Sequence, residues 1–422
     1  MNRTLYGLLW YIAWPFAILR LLWRSRLAPA YRQRWNERFS FFKGPAYAST
    51  LWVHTVSVGE FIAATPIIKR LQAEYPNDTL LITTMTPTGS ARVKETFGDS
   101  VVHVYLPYDI PCAVKRFLQH FKPRAAIFME TELWPNYIHY CAVAKIPTIL
   151  INARLSAKSA QGYARFRTLI TPMLKELSYV AAQAQPDAAR FVDLGLPEDK
   201  ISVTGSVKFD MSVDPAWHEQ ANQLRQQWGA ERRVWIAAST HAGEDEIMLC
   251  AYKQLKTDCP DLVLVLVPRH PERFDAMAKL CTETGFHCVR RSVPATEDDL
   301  RKVDIYLGDT MGELKLLYAT ADIALVAGSF RPIGGHNILE PAALGVPVVV
   351  GPHMFNFAEI TRLLLEAQGL VQVEEPESLP AVMHALLMDK NKRVALADQA
   401  LFVVKQNQGA TEKIWMFIKR WL

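Results

Sequence analysis

Short runs of β-branched and aliphatic residues recur along this chain, separated by helix-like stretches. This alternation limits the possible folds more than any other feature. In the first half the runs are residues 51–57, 80–85, 101–106, 125–129, 148–152, 179–182 and 201–204. In the second half they are 234–238, 262–267, 305–307, 323–327 and 347–350. Strands this short that alternate with helices form βα units, and βα units build parallel sheets. Two such series imply an α/β protein of two doubly wound, Rossmann-like domains. The expected division is an anchor at 1–26, a first domain at 27–212, a linker at 213–230, a second domain at 231–400 and a terminal helix at 401–422. Asp214-Pro215 and the polar, Gln-rich, helix-like stretch 219–227 mark the linker. Ile414, Phe417, Ile418 and Trp421 mark an apolar face on the last helix, which packs on one domain or bridges both.

The 422 residues are 50% hydrophobic and 21% charged, a folded composition. A net charge of +5 does not point to nucleic acid. The six cysteines form no CxxC pair and the eleven histidines lack ligand spacing, so neither a disulfide framework nor a metal site is expected. The N-terminus differs from the rest. Residues 5–19 carry no charge, no small-residue cleavage site follows, and seven basic residues stand between Arg20 and Lys43 against the single acid Glu37. This reads as an uncleaved anchor, spanning or interfacial, whose basic flank suits an anionic membrane surface and favours a cytoplasmic location for the chain that follows.

Polar clusters follow the strand runs directly, where open α/β sheets bind ligands. They include Ser57-Val-Gly-Glu60, Glu130-Thr-Glu132, Ser239-Thr-His241, Pro268-Arg269-His270 and Asp309-Thr310-Met311. Gly334-Gly335-His336-Asn337-Ile338-Leu339-Glu340 comes off the run at 323–327. Its glycines would let backbone approach a ligand, Asn337 would cap the next helix and receive a phosphate there, and Glu340 could hold a ribose. No GxGxxG follows the first strand and no GxxxxGK[ST] occurs, which disfavours a dinucleotide oxidoreductase or a P-loop NTPase. Two doubly wound domains facing a cleft, with phosphate handling in the second, point to the GT-B glycosyltransferase architecture.

The motifs Ser57–Glu60, Met129–Asn136, Thr204–Asp210, Pro268–Arg273, Gly308–Leu314 and Gly334–Asn337 together resemble the bacterial 3-deoxy-D-manno-octulosonic acid (Kdo) transferases. The resemblance runs from the anchor to the terminal helix. It implies inverting, metal-independent transfer of Kdo from CMP-Kdo to the lipid A precursor, with no cofactor beyond the donor itself. Glu60 would be the general base, and Glu130 and Lys208 would stabilise the transition state. Lys208 would have a target in the carboxylate beside the anomeric carbon of Kdo. Pro268, Arg269, Asp309, Thr310, Met311, Gly335, His336, Asn337, Ile338 and Glu340 would contact CMP, while Ser239, Thr240, Glu244 and Glu132 stay unassigned. On the residues alone, Glu60 could be a first-turn acid favoured by the helix dipole, and Glu130 a structural partner for an arginine such as Arg154. Two rivals remain, a nucleotide-sugar epimerase on the same fold and a membrane-tethered nucleotide-sugar-binding protein.

Overall fold

The computed structural model describes residues 1–422 except Ser212, with Leu27 described by its backbone alone. The chain forms two compact units. One is Met1–Asp210 together with Gln408–Leu422, and the other is Met211–Asn407. The first unit holds β1 (Thr50–His54), β2 (Thr79–Thr84), β3 (Val102–Tyr105), β4 (Pro123–Met129), β5 (Thr148–Ala153), β6 (Tyr179–Ala182) and β7 (Ile201–Val203), in the order β3-β2-β1-β4-β5-β6-β7. The second holds β8 (Val234–Thr240), β9 (Val263–Pro268), β10 (Cys288–Arg290), β11 (Ile305–Leu307), β12 (Ile323–Val326), β13 (Val348–Val350) and β14 (Leu370–Gln372), ordered β10-β11-β9-β8-β12-β13-β14. Every strand pair is parallel.

Burial on both faces explains why the central strands read as unbroken apolar runs. β1, β4, β8 and β9 are buried almost throughout. On one face of the first sheet pack Phe61, Ile67, Ile68 and Leu71 of helix Val58–Glu74, joined by Ile414, Trp415 and Ile418 of helix Ala410–Ile418. Trp52, Phe117, Phe128 and Tyr137 fill the other face. The strand order reverses beside β1 and β4 in the first unit, and beside β8 and β12 in the second. Crevices at the carboxyl ends of such strands are where this class of sheet holds ligands.

Three expectations change. The helix-like stretch expected within residues 213–230 is helix Pro215–Trp228, but it buries Ala221, Leu224 and Trp228 and belongs to the second unit, so it does not stand as a separate linker. The expected single helix at 401–422 is two helices, Lys390–Gln406 and Ala410–Ile418. Gly409, in the left-handed region, separates them. The Asp210 carboxylate accepts the N–H groups of Gly409 (2.6 Å) and Thr411, fastening the last helix to the first unit. Strands β10 and β14 had no counterpart among the sequence runs.

The N-terminal helix Arg3–Leu27 starts where Asn2 Oδ1 accepts the Leu5 N–H (2.9 Å). It is long and apolar enough to cross a membrane by length and composition. Not all of the basic segment after it is free. Arg34 pairs with Glu37 (2.7 Å), and Arg38 is buried against the Tyr105 ring while donating to the Met85 carbonyl (3.2 Å).

Candidate functional site

In the first unit Ser57 caps helix Val58–Glu74, and Glu60 is the third residue of that helix. The Val56 N–H donates to Glu60 Oε2 (2.7 Å) and the Ser57 hydroxyl to Oε1 (3.0 Å), while the Glu60 N–H donates back to Ser57 Oγ (3.4 Å). Glu60 thus ties down the start of its own helix, reaching past the cap residue to the Val56 N–H, so the reading as a first-turn acid is correct as far as it goes. Its electrostatics go further. Burial, then the negative charge of Glu130, push the Glu60 carboxyl up to about 7, against the lowering effect of the Val56 and Ser57 hydrogen bonds and of Lys208. Each carboxylate oxygen keeps a second lone pair for a ligand.

Glu130 follows β4 and pairs with Lys208, Oε1 to Nζ 3.1 Å, rather than with Arg154. Glu130 sits at φ 54°, a left-handed position rare for a residue with a side chain, and Asn152 at the end of β5 sits at φ 51°. Asn152 Oδ1 accepts the Val207 N–H (3.1 Å) and thereby sets the turn that carries Lys208. Sequence reasoning treated Asn152 only as a strand end, although a buried amide at that point was the available signal. Glu132 joins the cluster. Burial, then Glu60, raise its carboxyl to about 7 while the Trp134 indole donates to it (2.9 Å). Glu60, Glu130, Glu132 and Lys208 therefore form one coupled group at the reversal point of the first sheet.

In the second unit the residues named from sequence lie after central strands: Asp309–Met311 after β11, Arg269 after its neighbour β9, and His336–Glu340 beyond β12, which β8 separates from β9. Burial, then the Glu340 environment's cations Lys315 and Arg269, act in opposite directions on Glu340, and burial wins, raising its carboxyl. His336 lies 2.8 Å from His241, Nε2 to Nε2, with the rings parallel. Burial, then Arg269 and its histidine neighbours, hold His336 down to about 3, so it is neutral at neutral pH. His241, a strand-end residue given no role from sequence, is thus part of this group. The Asp309 carboxylate is already engaged, accepting from Arg290 Nε (2.6 Å) and from the Ser292 N–H (2.8 Å). Thr310 Oγ1 donates to Glu313, which Arg291 grips from the other side (2.8 Å). Met311 alone of the three projects well into solvent, 67% exposed.

The Gly334–Glu340 segment departs from expectation. Gly334 and Gly335 hold φ 107° and 76°, and a Cβ on Gly335 would come within 2.2 Å of Met354 Sδ. The glycines let the segment pack on Met354 and Asn356, and the Gly335 N–H is spent on the Gly328 carbonyl (2.8 Å). Asn337 Oδ1 accepts the Leu339 N–H (3.2 Å), but Ile338 is the cap residue and the helix, Leu339–Ala343, is a single turn. A turn this short has little macrodipole to offer a phosphate. Ile338 is fully buried and Pro268 closes β9, so each leaves only backbone for a ligand.

Glu244 is the clamp of this unit. Its buried carboxylate accepts N–H groups from His241 (3.1 Å), Gly328 (2.8 Å), Ser329 (3.0 Å) and Phe330 (3.0 Å). Arg273, paired with Asp245 and donating to the Thr240 carbonyl (2.9 Å), supports the same loop. Replacing Glu244 with alanine orphans those donors and is expected to cost about 3 kcal/mol or more, at roughly 1–3 kcal/mol for each buried unsatisfied group. Chemical denaturation measures this directly, and an unchanged midpoint would remove the clamp from the account.

Residues 33–211 match the family model described as 3-Deoxy-D-manno-octulosonic-acid transferase (kdotransferase). The chain is 42% identical to the 3-deoxy-D-manno-octulosonic acid transferase of Haemophilus influenzae, covering 100% of this chain and 99% of that one. The chain belongs to the Kdo transferase family. It is 35% identical to the corresponding transferase of Bordetella pertussis over 89% of this chain and 88% of the relative. Among solved structures, a UDP-GlcNAc 2-epimerase from Neisseria meningitidis aligns with TM-score 0.58 over 88% of this chain and 100% of its own. At 16% identity that likeness shows the fold alone, and two Rossmann-like units, each with a sheet of seven parallel strands, fit the GT-B class. As a member of this family the protein is a Kdo glycosyltransferase, an enzyme that uses a nucleotide-sugar donor and a glycolipid acceptor.

Proposed function

We propose that this transferase moves Kdo from CMP-Kdo to the lipid A precursor, with inversion and in a single displacement, at the cytoplasmic face of the inner membrane. Glu60 takes the proton of an acceptor hydroxyl as its oxygen bonds to C2 of Kdo. The bond from C2 to the phosphate oxygen breaks and CMP leaves. The observation that carries this reading is Glu60 itself, a half-buried carboxyl held near 7 among Glu130, Glu132 and Lys208. A base with that affinity is about half ionised at neutral pH and is strong enough to accept a proton as the transfer proceeds.

Glu130 fixes the Lys208 ammonium, which faces the charge of the Kdo carboxylate and the developing transition state. On the donor side, Arg269 neutralises the leaving phosphate together with backbone N–H groups, so that a cationic side chain supplies what a metal ion would otherwise supply. His336 and Asn337 border that position. Glu340 serves the ribose, and the backbone of Asp309, Thr310 and Met311 reads the cytosine edge, the side chains of Asp309 and Thr310 being engaged with Arg290 and Glu313.

The test is transfer by the purified full chain, with labelled CMP-Kdo and lipid A precursor, followed across pH. Labelled lipid is expected, and kcat/KM should rise with pH and level off above about 7, as Glu60 loses its proton. The sign follows from the base being active only when ionised. Absence of labelled lipid at every pH would overturn the substrate assignment, and a profile flat through neutrality would remove Glu60 as the base.

A further inference from the structure

We infer that helix Arg3–Leu27 lies in the plane of an anionic bilayer surface, sunk along one face, and does not cross the bilayer. This rests on the membrane association proposed above and specifies its mode. Both ends of the helix are tied to the first unit. At the start, the Met1 ammonium donates to Thr168 Oγ1 (3.2 Å), and Thr168 Oγ1 donates to the Met1 carbonyl (2.9 Å). Along its length the Tyr6 hydroxyl bonds the buried Asp109, Gly7 lies against Pro111 where an added Cβ would come within 3.0 Å, and Trp10 stacks on Tyr108 at 5.9 Å. Near the end Leu21 and Ser25 are buried, and Arg32 Nε donates to Ser25 Oγ (3.3 Å). The 25 residues extend about 37 Å at ~1.5 Å each, against a hydrocarbon core of ~30 Å. A crossing helix would put Met1 on the far side and strip these contacts one after another.

The opposite face is built for lipid. Leu5, Leu8, Ile12, Phe16, Leu19 and Trp23 follow at helical spacing and are 48–68% exposed. Arg20 and Arg26 continue that stripe three or four residues beyond Phe16 and Trp23, are exposed, and meet no acidic residue anywhere on the helix. A continuous apolar strip ending in cations matches acyl chains below phosphate headgroups. The same strip would offer a protein partner no polar pairing along most of its length.

Two cysteine versions of the full chain test the mode, Thr4→Cys and Arg26→Cys, each with the exposed Cys112 and Cys250 and the half-buried Cys288 changed to serine so that only buried native thiols remain. With a membrane-impermeant maleimide, both sites should react in everted inner-membrane vesicles and neither in intact spheroplasts. Labelling of Thr4→Cys from outside, or from neither side, overturns the in-plane placement. In parallel, the purified native chain should co-sediment with vesicles containing phosphatidylglycerol, and Ile12→Glu with Phe16→Glu should cut the bound fraction by about tenfold or more. Unchanged binding of that double variant overturns the proposed contact face. If the native chain binds no vesicle of any composition, membrane association itself fails. External labelling of a chain that does bind removes only the in-plane mode.

Discussion

Glu60→Gln should lower kcat by about a hundred- to ten-thousandfold with a small change in KM, the usual loss when a positioned general base is removed. Stability should move the other way. In the folded protein the Glu60 carboxyl is raised to about 7 from its ordinary value near 4.5. Its contribution to stability is therefore fully present below the unfolded value and is lost as pH rises through about 7. At alkaline pH the native protein thus carries a destabilising charge that glutamine lacks. The variant is expected to melt higher than the native protein at alkaline pH, with the gain shrinking in acid. A variant that lost activity and melted lower at every pH would mean that Glu60 is only a helix cap.

Lys208→Ala has the second large expected effect, a fall in kcat/KM of about a hundred- to a thousandfold, the scale of removing one fixed stabiliser of transition-state charge. The informative readout is the shape of the pH profile. Lys208 lowers the proton affinity of Glu60, whereas Glu130 raises it. Without the ammonium the carboxylates repel more strongly, so the acid limb should move to higher pH. Lys208→Arg should restore part of the rate and most of the original limb. A loss of rate with the limb in place would mean that Lys208 contacts substrate without tuning the base.

Much of this architecture was legible because parallel strands buried on both faces must be apolar along their whole length. The strands that escaped notice, β10 and β14, have three residues each and lie at the two edges of their sheet. Half-solvated edges need no apolar run. That helix Pro215–Trp228 belongs to the second unit escaped notice for a related reason, since it buries one narrow stripe, Ala221, Leu224 and Trp228, beneath a surface of glutamines. At the site, sequence placed Glu60, Glu130 and Lys208 at strand ends, but it could not pair Glu130 with a residue 78 positions away (208 − 130). Nor could it show that burial outweighs the helix start in setting the affinity of Glu60. Gly334 and Gly335 signal a close approach, and the neighbours the fold brings against them are Met354 and Asn356. Two glycines announce that something comes close without saying what.

The return of the last fifteen residues, Gln408–Leu422, to the first unit has a consequence for biosynthesis. During translation the second unit has all its strands before the first has all its core, because Ile414, Trp415 and Ile418 leave the ribosome after residue 407. Until then the nascent first unit keeps an uncovered apolar patch on one face of its sheet, while its N-terminal helix is already outside the tunnel. A ribosome that stalls or terminates near residue 407 would therefore damage the half of the protein it finished reading first, and such a product should be a target for chaperones and proteases through its older unit, not its newer one.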